Sequence, residues 1–224
     1  MEFEPQNCYV AWSGGKDSTI VLHLTRLVYP QILVIFNDTK IEYPETYSFI
    51  KSISKTWNLN ITRTHYWKKT FWDCLKEYGV PKRKVRHKGD ARANCCYYLK
   101  EVPTIHEIKK RKLKCCFEGS LATESHNRML WAEKKGSCSF NKKFNIQRVK
   151  PIIWWTESEV WQFIRTNNIP YNSLYDKGFD RTGCMPCTCH RYWREKLIKY
   201  NPKLYDKVIR YDNVQELFSA KDYK

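Results

Sequence analysis

No apolar run in this chain approaches the ~20 residues that a membrane-crossing helix requires. The opening residues Met1-Glu2-Phe3-Glu4-Pro5 lack the apolar core of a secretory signal, so a cytoplasmic location with no membrane partner is expected. Internal repeats and low-complexity linkers are also missing, which leaves one catalytic domain, 1–188, with a helical extension, 189–224. Acidic residues are scarce, 23 against 40 Lys and Arg, for a formal charge of +17. The Walker A pattern is absent, no histidine stands at zinc-finger spacing, and no cysteine follows Cys189. What is present excludes wholesale disorder, with 42% hydrophobic and 15% aromatic residues.

The most informative segment is Ser13-Gly14-Gly15-Lys16-Asp17-Ser18, between an apolar run, Cys8–Trp12, and a helix-like stretch beginning at Ile20. A strand, a glycine-tight turn and a helix start make an anion cradle. The glycines let backbone approach a phosphate, and the helix N-terminus aims free N–H groups at it. Lys16 adds a mobile charge and Ser13 and Ser18 add hydroxyls. Asp17 is read either as a phosphate-side magnesium ligand or as a carboxylate favoured by the helix dipole.

Strand-like runs recur at Val10–Trp12, Ile32–Phe36, Ile61–Tyr66 and Lys114–Glu118, with a weaker one at Val149–Ile153. Helical patterns separate them at Ser18–Leu27, Pro44–Trp57, Thr70–Tyr78 and Tyr97–Lys112. This alternation predicts an α/β fold, a parallel sheet with helices on both faces and the ligand at the carboxyl ends of the strands. Thr156 and Glu159 form a capping-box pattern opening a helix over Glu157–Thr166. An irregular Cys-rich loop, Tyr171–Thr188, and a basic helical tail complete the reading.

Ten cysteines in a chain read as cytosolic point to metal or redox chemistry rather than disulfides. The adjacent pair Cys95-Cys96 and the Cys184-Met185-Pro186-Cys187 loop offer four soft thiolates. Adjacent cysteines are unusual for zinc, and four thiolates suit an iron–sulfur cluster, so residue chemistry alone favours a cluster while leaving zinc open. Cys115-Cys116 fall in a strand pattern and read as small buried hydrophobes. Two basic blocks, Pro81–Lys88 and Lys109–Lys114, favour a polyanionic partner. In the first block Lys82, Arg83, Lys84, Arg86 and Lys88 are the candidate nucleic-acid contacts, with Trp67 or Trp72 as a stacking partner for a base.

The phosphate loop resembles that of the ATP pyrophosphatase superfamily, whose fold is termed adenine nucleotide alpha hydrolase-like. Further segments resemble the adenylyl-sulfate and phosphoadenylyl-sulfate (PAPS) reductase family, in order along the chain. They are Asp38-Thr39 with Pro44-Glu45-Thr46, Asn94-Cys95-Cys96 with Lys100 and Pro103, and Gly119 through Glu124-Ser125 to Arg128. Lys150-Pro151, Ile169-Pro170-Tyr171-Asn172-Ser173-Leu174-Tyr175 and Gly183-Cys184-Met185-Pro186-Cys187 follow. The resemblance implies nucleotide binding by Ser13 to Ser18 with Asp38 and Thr39, and a [4Fe-4S] cluster on Cys95, Cys96, Cys184 and Cys187. Lys16, Asp17 and Arg128 are its catalytic candidates. Tyr171, Asn172 and Tyr175 read as packing or as support for the loop, and Cys189 as a free thiol near the cluster.

Two departures bear on the reaction. The family's reductases use a cysteine in a C-terminal Glu-Cys-Gly-Leu-His segment, and no counterpart follows Cys189 here. Leu121 stands where the family motif has arginine. The expected function is therefore activation of a nucleic acid by ATP-dependent adenylation for sulfur insertion, as in DNA phosphorothioation or tRNA thiolation. ATP, Mg²⁺ and a sulfur donor such as a cysteine desulfurase would take part, and a homodimer is compatible. The alternatives are a reductase using Cys189 or a partner's thiol, and a cluster-bearing nucleic-acid-binding protein without catalysis.

Overall fold

A computed structural model describes residues 4–80, 94–189 and 192–219. In chain order the elements are β1 (Cys8–Ala11), α1 (Lys16–Val28), β2 (Leu33–Asn37), α2 (Pro44–Thr56), β3 (Ile61–Thr64), α3 (Phe71–Tyr78) and α4 (Asn94–Cys96). A π-helical stretch, Tyr97–Glu101, leads into α5 (Val102–Arg111) and β4 (Cys115–Glu118). Then come α6 (His126–Lys135), β5 (Cys138–Asn141), β6 (Ile146–Val149), α7 (Glu157–Thr166), α8 (Trp193–Tyr200) and α9 (Pro202–Ser219). They divide into two compact units. The first takes Met1–Asn37, Tyr43–Thr64 and Thr104–Thr182, and the second Asp38–Glu42, His65–Pro103 and Gly183–Lys224.

The first unit contains one sheet of order β3-β2-β1-β4-β6-β5. Five strands run parallel and only β5 pairs antiparallel, against β6. The period-two alternation of β1 explains its central place. Cys8, Val10 and Trp12 join α1, α2 and α7 in one apolar layer, while Tyr9 joins Ile108 of α5 and Ile146 in the other. Helices thus cover both faces, as expected. Because β2 and β4 flank β1 on opposite sides, the chain changes direction at β1, and the crevice at the carboxyl ends of β1 and β4 is the natural ligand position.

Helix α7 starts at the expected capping box. The Thr156 N–H donates to Glu159 Oε2 at 2.7 Å, and the Glu159 N–H donates to Thr156 Oγ1 at 3.3 Å. The weak strand expected at Val149–Ile153 is corrected to Ile146–Val149. Residues 151–154 turn instead, since Pro151 has no N–H to extend a ladder. Two elements carried no legible signal. Helix α6 buries only Ala132, and β5 is a partly exposed edge.

In the second unit, Phe71, Leu75, Val80 and Leu99 form a core with Ile41, Tyr66, Trp72, Cys95 and Tyr211 against it. Thr70 and Asp73 cap α3 reciprocally. Among the described residues no helix is long and apolar enough to cross a membrane. The basic block carrying Lys82, Arg83, Lys84, Arg86 and Lys88 lies outside the described residues.

Candidate nucleotide and thiol sites

The loop after β1 is built by its own backbone. Gly14 has φ +75, a left-handed conformation, and a Cβ there would press on Ile50 and Thr46 at 3.2 and 3.3 Å. The Gly15 N–H donates to Ser13 Oγ at 3.3 Å, and Ser18 Oγ donates to the Gly15 carbonyl at 2.9 Å. Thr19 Oγ1 donates to the same carbonyl at 2.9 Å and accepts from Trp12 Nε1 at 3.0 Å. Gly119, at the end of β4, lies so close to α1 that a Cβ would sit 2.4–2.6 Å from backbone atoms of Asp17 and Ser18. The loop is therefore held by its own hydrogen bonds and by the close approach of Gly119.

Lys16 is 4% exposed, and its Nζ lies 3.3 Å from Asp17 Oδ1 and 3.3 Å from Glu157 Oε1. Burial works against its charge, but Asp17, Tyr175 and Glu157 outweigh burial and raise its pKa. Burial likewise pushes Asp17 upward, opposed by Lys16. Asp17 Oδ1 is buried with no hydrogen-bond partner, although the Lys16 ammonium stands beside it. The Tyr175 hydroxyl accepts from the Lys16 backbone N–H at 3.0 Å, so the tyrosine supports the loop directly. Asn172 acts one step back: its Nδ2 donates to Thr46 Oγ1 at 3.0 Å. The Tyr171 hydroxyl instead donates to Asp176 at 3.0 Å. Arg128, on α6, is ion-paired with Glu124.

Asp38 and Thr39 belong to the second unit. Asp38 accepts from the Lys40 N–H at 3.0 Å and from Lys40 Nζ at 2.9 Å. Thr39 Oγ1 donates to Glu42 Oε1 at 2.8 Å and lies 3.4 Å from Cys184 Sγ, which ties it to the thiols. A single antiparallel bridge, Glu42 with Cys184, and the Met185 N–H donating to Ile41 O at 2.8 Å fix the Cys184–Cys187 turn.

All four expected thiols lie in this second unit and influence one another. A hydrogen bond with Cys96, then burial, then the charges of Cys96, Cys184 and Cys187 raise the Cys95 pKa. Burial raises that of Cys184, against the opposing pull of Lys100. The charge of Cys184 in turn raises Lys100, helped by Glu42, Cys96 and Cys187 and opposed by burial. Lys100 and Glu42 are charged neighbours of these thiols to which sequence reasoning gave no role, although Lys100 was part of the matched motif. Cys189 is lowered by a hydrogen bond from Cys187. Among the described residues no three His, Cys, Asp or Glu side chains converge as ligands of one metal ion. Cys115 and Cys116 are buried in β4, and burial lifts Cys115 to about 12 and Cys116 higher still, so both are inert packing groups.

The model of the phosphoadenosine phosphosulfate reductase domain matches residues 7–190. The chain belongs to that family. Among its family relatives, a protein named adenosine 5'-phosphosulfate reductase from Staphylococcus epidermidis is 27% identical over 182 residues, covering 79% of this chain and 68% of that protein. Two uncharacterized Methanocaldococcus jannaschii proteins, MJ0973 and MJ0066, are 34% and 31% identical over 79% and 95% of this chain. The chain spans only 40% and 42% of their lengths. In fold, this family member is similar to PAPS reductase from Candida auris, with TM-score 0.60 at 17% identity over 82% of this chain and 89% of that one. FMN adenylyltransferase from Candida glabrata shares the fold as well, with TM-score 0.56 at 17% identity over 81% and 57%.

Proposed function

We propose that this family member binds ATP at Ser13–Ser18 and activates a nucleic-acid oxygen by adenylation, so that sulfur can replace it. The glycine turn at the N-terminus of α1 carries this reading, because it offers backbone donors and Lys16 to a polyphosphate. The substrate oxygen attacks the α-phosphorus, the bond to pyrophosphate breaks, and Lys16 turns from Asp17 and Glu157 toward the departing charge. Sulfide then displaces AMP with no net oxidation or reduction; where the donor is a persulfide carrier such as a cysteine desulfurase, an external thiol supplies the two electrons that release its outer sulfur at the sulfide level.

Asp17, with its buried and unbonded Oδ1, fits a Mg²⁺ ligand. When bound, Mg²⁺ would neutralise phosphate charge. Cys95, Cys96, Cys184 and Cys187 offer four soft thiolates, the donor set of a [4Fe-4S] cluster, and the charges of Cys96, Cys184 and Cys187 all act on Cys95. When bound, the cluster would supply a compact charge that Lys100 balances.

Leu121 supports this reading over sulfonucleotide reduction: it is 0% exposed and part of the first unit's core, so it presents no charge to a sulfate. The second unit suits a polynucleotide, with Trp67 77% exposed and Lys68 Nζ 5.1 Å from its ring centre. One observation favours the reductase alternative, the lowered pKa of Cys189 beside Cys187. The decisive experiment offers the anaerobic protein ATP, adenylyl sulfate and PAPS separately, with and without RNA or DNA. Pyrophosphate release from ATP that depends on nucleic acid is expected. Sulfite release from either sulfonucleotide would establish the reductase instead.

A further inference from the structure

A cleft of about 330 Å³ opens in the first unit, toward the end of α1 that lies away from the phosphate loop. His23 and Arg26 line it from α1, Trp57 from the end of α2, and Asn167 and Asn168 from the turn after α7. His23 lies seven residues beyond Lys16 and Arg26 ten, about 10 and 15 Å along the helix at ~1.5 Å per residue. The carboxyl ends of the strands, with the phosphate loop, are at the other end of that helix.

The frame of the cleft is held by its own chain. Arg26 Nη2 donates to the Trp57 carbonyl at 2.6 Å and Nε to the Pro30 carbonyl at 3.2 Å, which ties α1 to the end of α2. Beyond α7, Asn168 has φ +48, a left-handed conformation that asparagine tolerates, and the Ile169 N–H donates back to the Ile164 carbonyl at 2.9 Å. Two aromatic rings meet in the cleft, His23 and Trp57, with centroids 6.1 Å apart and planes inclined at 51°. Phe163 packs edge-on with His23 at 6.3 Å.

Its polar groups are open. Among the described residues, neither ring nitrogen of His23, nor the Trp57 indole N–H, nor the Asn168 side-chain amide has a hydrogen-bond partner. Burial, assisted by the Arg26 charge, lowers the His23 pKa, so at neutral pH the imidazole carries one donor and one acceptor. The Asn168 amide carries both as well. None of the residues lining the cleft is a carboxylate, and Arg26 is its one cation. An ammonium ligand would therefore meet no counter-charge, and a simple aliphatic acid would use only Arg26. The ligand that uses the whole set is flat and aromatic, with donors and acceptors along one edge.

We infer that this cleft is a second binding site, for a heteroaromatic nucleobase that rests on Trp57 and His23 and turns its edge to Asn168. Its volume lies in the range of small-molecule sites, aromatic faces hold bases by stacking, and an asparagine amide matches the paired donor and acceptor of a base edge. The same chemistry comes from a free nucleoside or from an unpaired base of a nucleic-acid strand. The inference stands apart from the reading of Ser13–Ser18, since the two places share no residue.

The test follows the His23 imidazole by NMR in the full chain, with His23→Phe identifying its signal among the six histidines. The probes are adenosine, ribose 5-phosphate and a short single-stranded oligonucleotide. Saturable movement of the signal with adenosine supports a site for a free nucleoside, and movement with the oligonucleotide alone assigns the base to a strand. Either response should persist in Lys16→Ala, and its loss there would overturn the second site in favour of the phosphate loop. A signal unmoved by both base-bearing probes, or moved equally by ribose 5-phosphate, also overturns it. Asn168→Gly and Asn168→Asp keep the left-handed backbone while changing the amide, so both should fold. Each should weaken the base-bearing probe about fivefold, the scale of one hydrogen bond. Unchanged affinity in both variants would overturn the inference.

Discussion

The phosphate loop and the thiol site achieve their order by opposite means. Six consecutive residues make the loop, and their hydroxyls and N–H groups satisfy one another around Gly14 and Gly15. The thiols come from segments some ninety residues apart and, as charges, would repel one another, with Lys100 and a hydrogen bond from Thr39 opposing that at Cys184. A backbone-built site is finished when its unit folds. A site built from mutually repelling groups is completed by what binds there.

The sharpest break of that contrast is Cys184→Ser. If the thiol site depends on its ligand, anaerobic protein should fall from about four irons and four sulfides per chain to below one. Its Tm should drop by about 10 °C, or roughly 3 kcal/mol at this size. Stoichiometric zinc without sulfide in the parent would end the cluster reading. Gly119→Ala probes the other side. Its methyl would collide with backbone of Asp17 and Ser18, so a loss of about 3 kcal/mol in urea unfolding is expected, with nucleotide binding lost alongside.

Much of this was legible because it is local. The loop is contiguous, β1 alternates cleanly, and the α7 capping box spans four residues. The four thiols were singled out by residue type and by resemblance together, while the neighbourhood that Cys95 shares with Cys184 is a tertiary fact that nothing local signals. What was missed fails for physical reasons. Helix α6 has little apolar periodicity, β5 is an edge strand with little to bury, and Pro151 moved the end of β6. The cleft that His23, Trp57 and Asn168 share spans three elements and leaves no trace in spacing. Thr39, expected beside adenosine, is bonded to Glu42 and Cys184, a tertiary commitment that its motif does not reveal.

Lys16→Ala sharpens the comparison at the loop itself. Its side chain is buried against Asp17 and Glu157, so its removal leaves two carboxylates unmatched near the phosphate position. ATP affinity should weaken about 30-fold, near 2 kcal/mol, while adenosine changes less than twofold. Equal losses for both ligands would mean that the loop does not meet the phosphates.

The smallest effect expected is also the least intuitive. The Tyr175 hydroxyl accepts from the Lys16 N–H, one of the donors that a helix N-terminus would offer to a phosphate. It therefore occupies a donor that a phosphate would otherwise take. Tyr175→Phe keeps the ring packed edge-on against Trp161 and removes that acceptor together with the hydroxyl's hydrogen bond to Thr182. The protein should lose about 1–2 kcal/mol in unfolding free energy, the net value of two hydrogen bonds. ATP should then bind up to about fivefold more tightly, because its phosphate no longer competes with the hydroxyl. Calorimetry beside urea unfolding reads both quantities on one preparation. Weaker ATP binding in Tyr175→Phe would show that the hydroxyl holds the nucleotide rather than standing in for it, and that the loop is less complete on its own than its internal hydrogen bonds indicate.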